Sequence, residues 1–149
     1  MTAYLLDTNI ISKFAPDKVP PSDPVRAWFH DQGKADALFL SALSVAEIEK
    51  GLRNLHRRGG IERAKRLSAW LDFITDTFGD RILPMDTVVA RIVGALEEEA
   101  ASQGRHPGLG DLIIAATARA YDLTVITENL RHFQPLDVAV DLPAAFRSE

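Results

Sequence analysis

Four polar positions, each placed shortly after an apolar run, have the residue types for shared chemistry. Asp7 stands in Leu5-Leu6-Asp7-Thr8-Asn9. Glu47 stands in Ser44-Val45-Ala46-Glu47, Asp111 in Gly108-Leu109-Gly110-Asp111-Leu112-Ile113, and Asn129 in Ile126-Thr127-Glu128-Asn129. Three carboxylates gathered in one place repel one another unless a cation neutralises them. With no cysteine in the chain and no cluster of histidines to compete, the available ligands are oxygens. Oxygen donors suit a hard ion such as Mg²⁺ or Mn²⁺ rather than zinc. Such a site polarises a phosphate and generates hydroxide from water.

Each residue also has a purely structural reading. Asp7, Thr8 or Asn9 suits the cap of a short helix over 9–14. Ser44 and Glu47, read in the first turn of a helix, match a capping box. Asp111 at a helix start is favoured by the macrodipole, and Asn129 suits a cap for the turn through Phe133. The four in order weigh more than any one alone.

The elements that must position them follow from hydrophobic patterning. Apolar runs at 4–6, 38–40, 81–83 and 124–126, and a shorter one at 138–140, read as strands buried on both faces, as in a parallel sheet. Apolar residues at three- and four-residue steps predict helices over 45–55, 61–78 and 88–96, the last stopped by Gly104. Residues 112–120 are apolar nearly all round and read as a buried helix. Residues 16–24, rich in proline, read as a loop. Alternating strands and helices argue for an α/β fold with right-handed crossovers. Open parallel sheets place their ligands beyond the carboxyl ends of the strands, which is where all four polar residues fall.

The 149 residues suit one domain over 1–149, and 46% apolar with 26% charged residues describes an ordinary globular chain. The formal net charge of -4 does not announce a nucleic-acid binder, and an acidic cation pocket would itself contribute to it. The absence of cysteine excludes disulfides, thiolate metal sites and cysteine nucleophiles. No apolar run is long enough to span a membrane, and the first residues lack a basic stretch followed by an apolar core, so the expectation is a cytoplasmic protein.

Taken together, Leu5-Leu6-Asp7-Thr8-Asn9, Ser44-x-x-Glu47 with Gly51, Asp111-x-x-Ile114-Ala115-Ala116, and Thr127-x-Asn129 followed by His132-Phe133 resemble the PIN-domain pattern over essentially the whole chain. Order and spacing are similar to those of bacterial VapC toxins, including FitB-like members. The resemblance implies a three-layer α/β/α fold around a parallel sheet of four to five strands and Mg²⁺- or Mn²⁺-dependent cleavage of RNA. It also implies homodimers and inhibition by a VapB-like antitoxin. By the same resemblance Asp7, Glu47 and Asp111 are the metal-binding carboxylates, Thr8 supports Asp7 or a metal-bound water, and Asn129 takes the place of a fourth acidic residue. The alternative is a non-catalytic PIN scaffold that binds RNA or protein.

Lys50, Arg53 and Arg57, with Arg58, Arg63, Lys65 and Arg66, read either as a basic face for an RNA backbone or as a solvated helix face. Lys13 and Lys18 are weaker candidates of the same kind. Glu128 is either a displaced fourth carboxylate or a residue turned away from Asn129, since neighbours in extended chain point to opposite sides. Asp86 reads as a helix cap, Glu97 to Glu99 as an exposed patch, and His132 as a packing or hydrogen-bonding residue. Trp28, Phe29 and Trp70 read as core or interface. A dehalogenase-type phosphatase needs a second Asp where Asn9 stands. A receiver domain needs a late lysine that the Thr127 region lacks.

Overall fold

The computed structural model describes residues 2–147, so the two ends of the domain expected over 1–149 lie outside it. Five parallel strands form one sheet in the order β3-β2-β1-β4-β5: β1 Tyr4–Leu6, β2 Leu38–Ser41, β3 Ile82–Leu83, β4 Thr124–Ile126 and β5 Val140–Asp141. The expected strands at 81–83 and 138–140 shift. Arg81 falls in a 3₁₀ turn, where its Nε donates to the Leu38 carbonyl at 3.1 Å. Ala139 and Asp141 instead give their carbonyls to β4, which sets the fifth strand two residues later.

Side chains alternate across the pleat, so each strand feeds two cores. Leu5 and Val125 join one apolar cluster, and Leu6 and Ile126 the other. The first cluster is covered by α5, Thr87–Ser102, and α6, Leu109–Tyr121. The second is covered by α1, Thr8–Ile11, α2, Asp23–Lys34, α4, Ile61–Phe78, and the short α8, Ala144–Arg147. Between β2 and α4 runs α3, Ala42–Arg57, which packs along α4, and the short α7, Leu130–Phe133, follows β4. The result is a three-layer α/β/α molecule.

The helix over 61–78 matches its sequence expectation end to end, and Leu112–Ala118 of α6 are all buried as expected. Asp86 caps α5, its side chain accepting from the Val89 amide at 2.9 Å. Two helices are not foreseen by the sequence reading: the short α8, and α2, which begins at Asp23 inside the stretch 16–24 expected as a loop, takes Pro24 into its first turn and turns Val25, Trp28 and Phe29 to the core. No helix among the described residues is long and apolar enough to cross a membrane.

Candidate active site

Strand β1 is central, with β2 and β3 on one side and β4 and β5 on the other. Connections leave β1 and β4 in opposite directions, which opens a crevice at the carboxyl ends of these two strands. Asp7 sits in that crevice. Its amide bonds the Ile126 carbonyl of β4 at 2.9 Å, and its own carbonyl accepts from Ile10 at 2.9 Å to start α1. The capping expectation for this residue is therefore met, and the same geometry holds its carboxylate fixed.

Asp7 is 8% exposed. Its Oδ1 accepts from the Thr8 amide and its Oδ2 from the Thr127 hydroxyl, both at 2.8 Å. Thr127 is fully buried, and its Oγ1 also accepts from the Asn129 amide at 2.9 Å and the Asn9 side chain at 3.4 Å. Asn9 in turn accepts from the Glu128 amide at 3.3 Å. This network ties the residues after β1 to those after β4 and orients Asp7. Desolvation raises the Asp7 pKa, the two hydrogen bonds oppose it, and the charges of Asp111 and Glu47 raise it further.

On the other wall, Thr8 Oγ1 donates to Glu47 Oε1 at 2.7 Å and lies 2.8 Å from the buried Ser44 Oγ. A hydroxyl has one proton, so with that proton on the carboxylate the Ser44 hydroxyl is the donor of the second contact. The capping box expected from Ser44 and Glu47 is not formed. Helix α3 starts three residues earlier, its cap is Ser41, and Glu47 sits in the second turn, aimed at Thr8. Asp111 lies in the first turn of α6, as expected, with its Oδ2 3.2 Å from His132 Nδ1.

Asp7, Thr8, Glu47, Asp111 and Asn129 all line one pocket, together with Asn9, Ser12, Lys18, Gly110 and Ile114. The sequence reading did not assign Ser12 to the site. Its signal was present, since it follows Thr8 by one helical turn and shares its face. Lys18, a weak candidate, is the cation that reaches the pocket. Lys13 is spent on Glu128 at 3.4 Å, and Glu128 does not line the pocket, so the displaced-carboxylate reading falls. Asn129 occupies the cap position of α7 without a side-chain capping bond. Lys50, Arg53 and Arg57 share a neighbouring cleft with Glu47.

The donor set fits a hard divalent ion in kind: three carboxylates, an amide and hydroxyls, with one of the carboxylates buried. It is not pre-assembled. Among the described residues no three acidic or histidine side chains converge as a ligand group. The reason lies in the contacts already given: Glu47 is held by Thr8 and Asp111 by His132, while both oxygens of Asp7 accept from the protein.

A parallel five-stranded sheet between helical layers, with carboxylates at the carboxyl ends of its central strands, defines a PIN-type α/β architecture. The chain matches the PIN domain over residues 4–137 and belongs to that family. Within it, the chain is similar to Toxin FitB of Neisseria gonorrhoeae, 36% identical over 142 residues, covering 93% of this chain and 96% of the relative. It is also 32% identical to Ribonuclease VapC10 of Mycobacterium tuberculosis over 108 residues, 72% of this chain and 71% of the relative. Among solved structures, the crystal structure of FitAcB from Neisseria gonorrhoeae superposes with a TM-score of 0.78 at 36% identity, covering 92% of this chain and 95% of that one. DNA-bound VapBC from Salmonella typhimurium, at 23% identity, covers 95% of this chain and 98% of that one with a TM-score of 0.78, which speaks to the fold alone.

Proposed function

We propose that this protein is a metal-dependent endoribonuclease, the toxin of a type II toxin–antitoxin pair. The observation that carries the reading is the meeting of Asp7, Thr8, Glu47, Asp111 and Asn129, from four distant stretches of chain, in one pocket at the carboxyl ends of β1 and β4. Relatives named as a toxin and as ribonucleases support it. In this reading Asp7, Glu47 and Asp111 would hold Mg²⁺ or Mn²⁺, with the Asn129 amide oxygen available to a water of the ion or to a phosphate. The ion, when bound, polarises the scissile phosphate and acidifies an attacking water.

The chain's own residues have defined tasks. Thr127 and the Thr8 amide fix Asp7, and Thr8 holds Glu47 at the rim. Lys18 offers a positive charge to a phosphate entering the pocket, and Lys50, Arg53 and Arg57 line a route for the RNA backbone beyond Glu47. In-line attack leaves a 5′-phosphate and a 3′-hydroxyl. A 2′,3′-cyclic phosphate product would mean a route through the ribose hydroxyl instead.

The test is cleavage of a mixed RNA pool by wild-type protein with Mn²⁺, by the same protein with EDTA, and by Asp111→Asn. Cleavage in the first lane alone is the expected result. Cleavage that survives EDTA or the substitution overturns the assignment, and binding of RNA without cleavage at any metal concentration favours a non-catalytic scaffold.

The whole chain, 1–149, is proposed as one PIN domain that forms a homodimer, and light scattering that finds only monomer would oppose this. Its inhibitor is proposed to be a VapB-like antitoxin with an Arg- or Lys-bearing segment that enters the acidic pocket. The solved structures similar to this chain include FitAB bound to a DNA fragment, at 34% identity. Co-expression with a VapB-like antitoxin is expected to yield a stable complex without ribonuclease activity.

A further inference from the structure

We propose that a second basic cleft, adjoining the acidic pocket at Asp111, holds the backbone of the RNA strand on one side of the scissile phosphate; this rests on the ribonuclease reading above. The cleft lies between the loop ahead of α6 and the α7 segment. Arg105, His106, Arg131 and His132 line it, and Asp111 forms the wall that it shares with the acidic pocket. Glu47 is shared in the same way between the acidic pocket and the cleft of Lys50, Arg53 and Arg57. The hollows run on from one another as basic, acidic and basic. A strand with its scissile phosphate over the carboxylates leaves the pocket past these two shared walls.

Toward α3, Arg53 is ion-paired with Glu49 at 2.8 Å and Arg57 donates to the neutral Asn54 at 2.9 Å, while Lys50 has no ion pair among the described residues. On the α6–α7 side, neither Arg105 nor Arg131 has an ion pair among the described residues. Among the described residues Asp111 is the only carboxylate lining that cleft, and it is already engaged by His132. Two unpaired guanidinium groups in one concavity favour an anion that accepts forked, bidentate bonds, which a phosphodiester does. The imidazoles of His106 and His132 add flat faces on which unpaired bases stack. An acidic protein segment would satisfy the charges but would leave the rings without that use, and it would not need the cleft to open onto the carboxylates.

The test is binding of a fluorescent single-stranded oligoribonucleotide by the full chain carrying Asp7→Asn, which slows turnover by about a thousandfold. It is run across a salt series with and without the pair Arg105→Ala and Arg131→Ala. Loss of two phosphate contacts is expected to weaken binding and to flatten the slope of log K against log salt by about 1.4, each contact being worth about 0.7 on single strands. The pair Arg105→Lys and Arg131→Lys keeps the charges and is expected to restore most of the slope. Both arginines are exposed, so neither pair endangers folding. With Asp7 intact, the alanine pair is expected to raise KM and leave kcat nearly unchanged.

Parental affinity and slope in the alanine pair overturn the proposal. So does loss of antitoxin binding with RNA binding unchanged, which assigns the cleft to a protein segment. Cleavage by the alanine pair at the parental KM removes the cleft and leaves the nuclease. The expected slope change in a protein that cleaves no RNA removes the nuclease and leaves the cleft. A parent that binds no RNA removes both.

Discussion

Burial raises the pKa of Asp7, with repulsion from Asp111 and Glu47 added to it, and the hydrogen bonds from Thr127 and Thr8 offset this only in part. A carboxyl whose folded pKa lies above its unfolded value stabilises the fold most when protonated, and that contribution is lost as pH rises through the folded pKa. At neutral pH the ionised group therefore costs the metal-free protein stability. Asp7→Asn is expected to melt higher than wild type at pH 7 without metal, with the gap closing as pH falls and wild type takes up its proton. Thermal melts over a pH series check this, and a gap that widens toward acid would overturn it. The same substitution is expected to reduce cleavage by about a thousandfold, since a catalytic ion supplies several kcal/mol and each 1.36 kcal/mol is tenfold.

Thr127 acts on the same carboxylate at one remove. Thr127→Val keeps the shape and deletes both the donor to Asp7 and the acceptor for the Asn129 amide. An expected loss of about 10–100-fold in metal affinity or activity follows from an unsupported ligand, and Thr127→Ser is expected to recover most of it. Equal metal affinity in the valine and serine variants would show that the hydroxyl does not support Asp7.

At the scale of elements, α3 and α6 carry the two carboxylates that do not follow directly from a strand. Helix α3 is set by its cap: the Ser41 side chain, nearly fully buried, accepts from the Leu43 amide at 3.1 Å. Ser41→Ala is expected to cost about 1 kcal/mol of stability. It is expected to leave cleavage measurable, because Thr8 still holds Glu47. Denaturant titration beside an activity assay separates the two. Helix α6 is fixed by burial instead, with Ile114 under the pocket at 1% exposed. Ile114→Ala is expected to cost about 2–5 kcal/mol, and a cost under 1 kcal/mol would mean that α6 is not held by this contact.

The boundaries of these helices explain where the sequence could be misread. Ser44-x-x-Glu47 has the pattern of a capping box, but Ser41 is also a serine and the helix starts three residues earlier than the pattern suggests. Two sequential caps compete locally, and the ladder between β2 and β3 decides between them through the pair Ser41 and Leu83. Helix α2 was obscured by the prolines that precede it, although a proline in a first turn is compatible with helix and Val25, Trp28 and Phe29 carry the helical spacing.

Across the whole molecule, charge and metal are linked. A chain with net charge -4 concentrates two more carboxylates around a buried one, so an ion that binds only the folded state stabilises it by mass action, about 2.7 kcal/mol at a hundredfold excess over Kd. Mn²⁺ is expected to raise the melting temperature of wild type by several degrees and that of Asp7→Asn hardly at all. An equal shift in both would place the ion elsewhere.

The sequence by itself determined the elements that build the frame: the strand ends that carry Asp7 and Asn129, the amphipathic span of α4, the all-round burial of α6, and an all-oxygen set of candidate ligands. These depend on local periodicity and residue chemistry, which neighbours in the chain settle among themselves. Only the tertiary structure decided that β1 and β4 lie side by side, so that Thr127 reaches Asp7, that Thr8 turns to Glu47 and His132 to Asp111, and that Arg105 and Arg131 share a cleft. Those contacts join residues that the chain keeps far apart. Strand order and side-chain direction bring them together, and no local pattern encodes either.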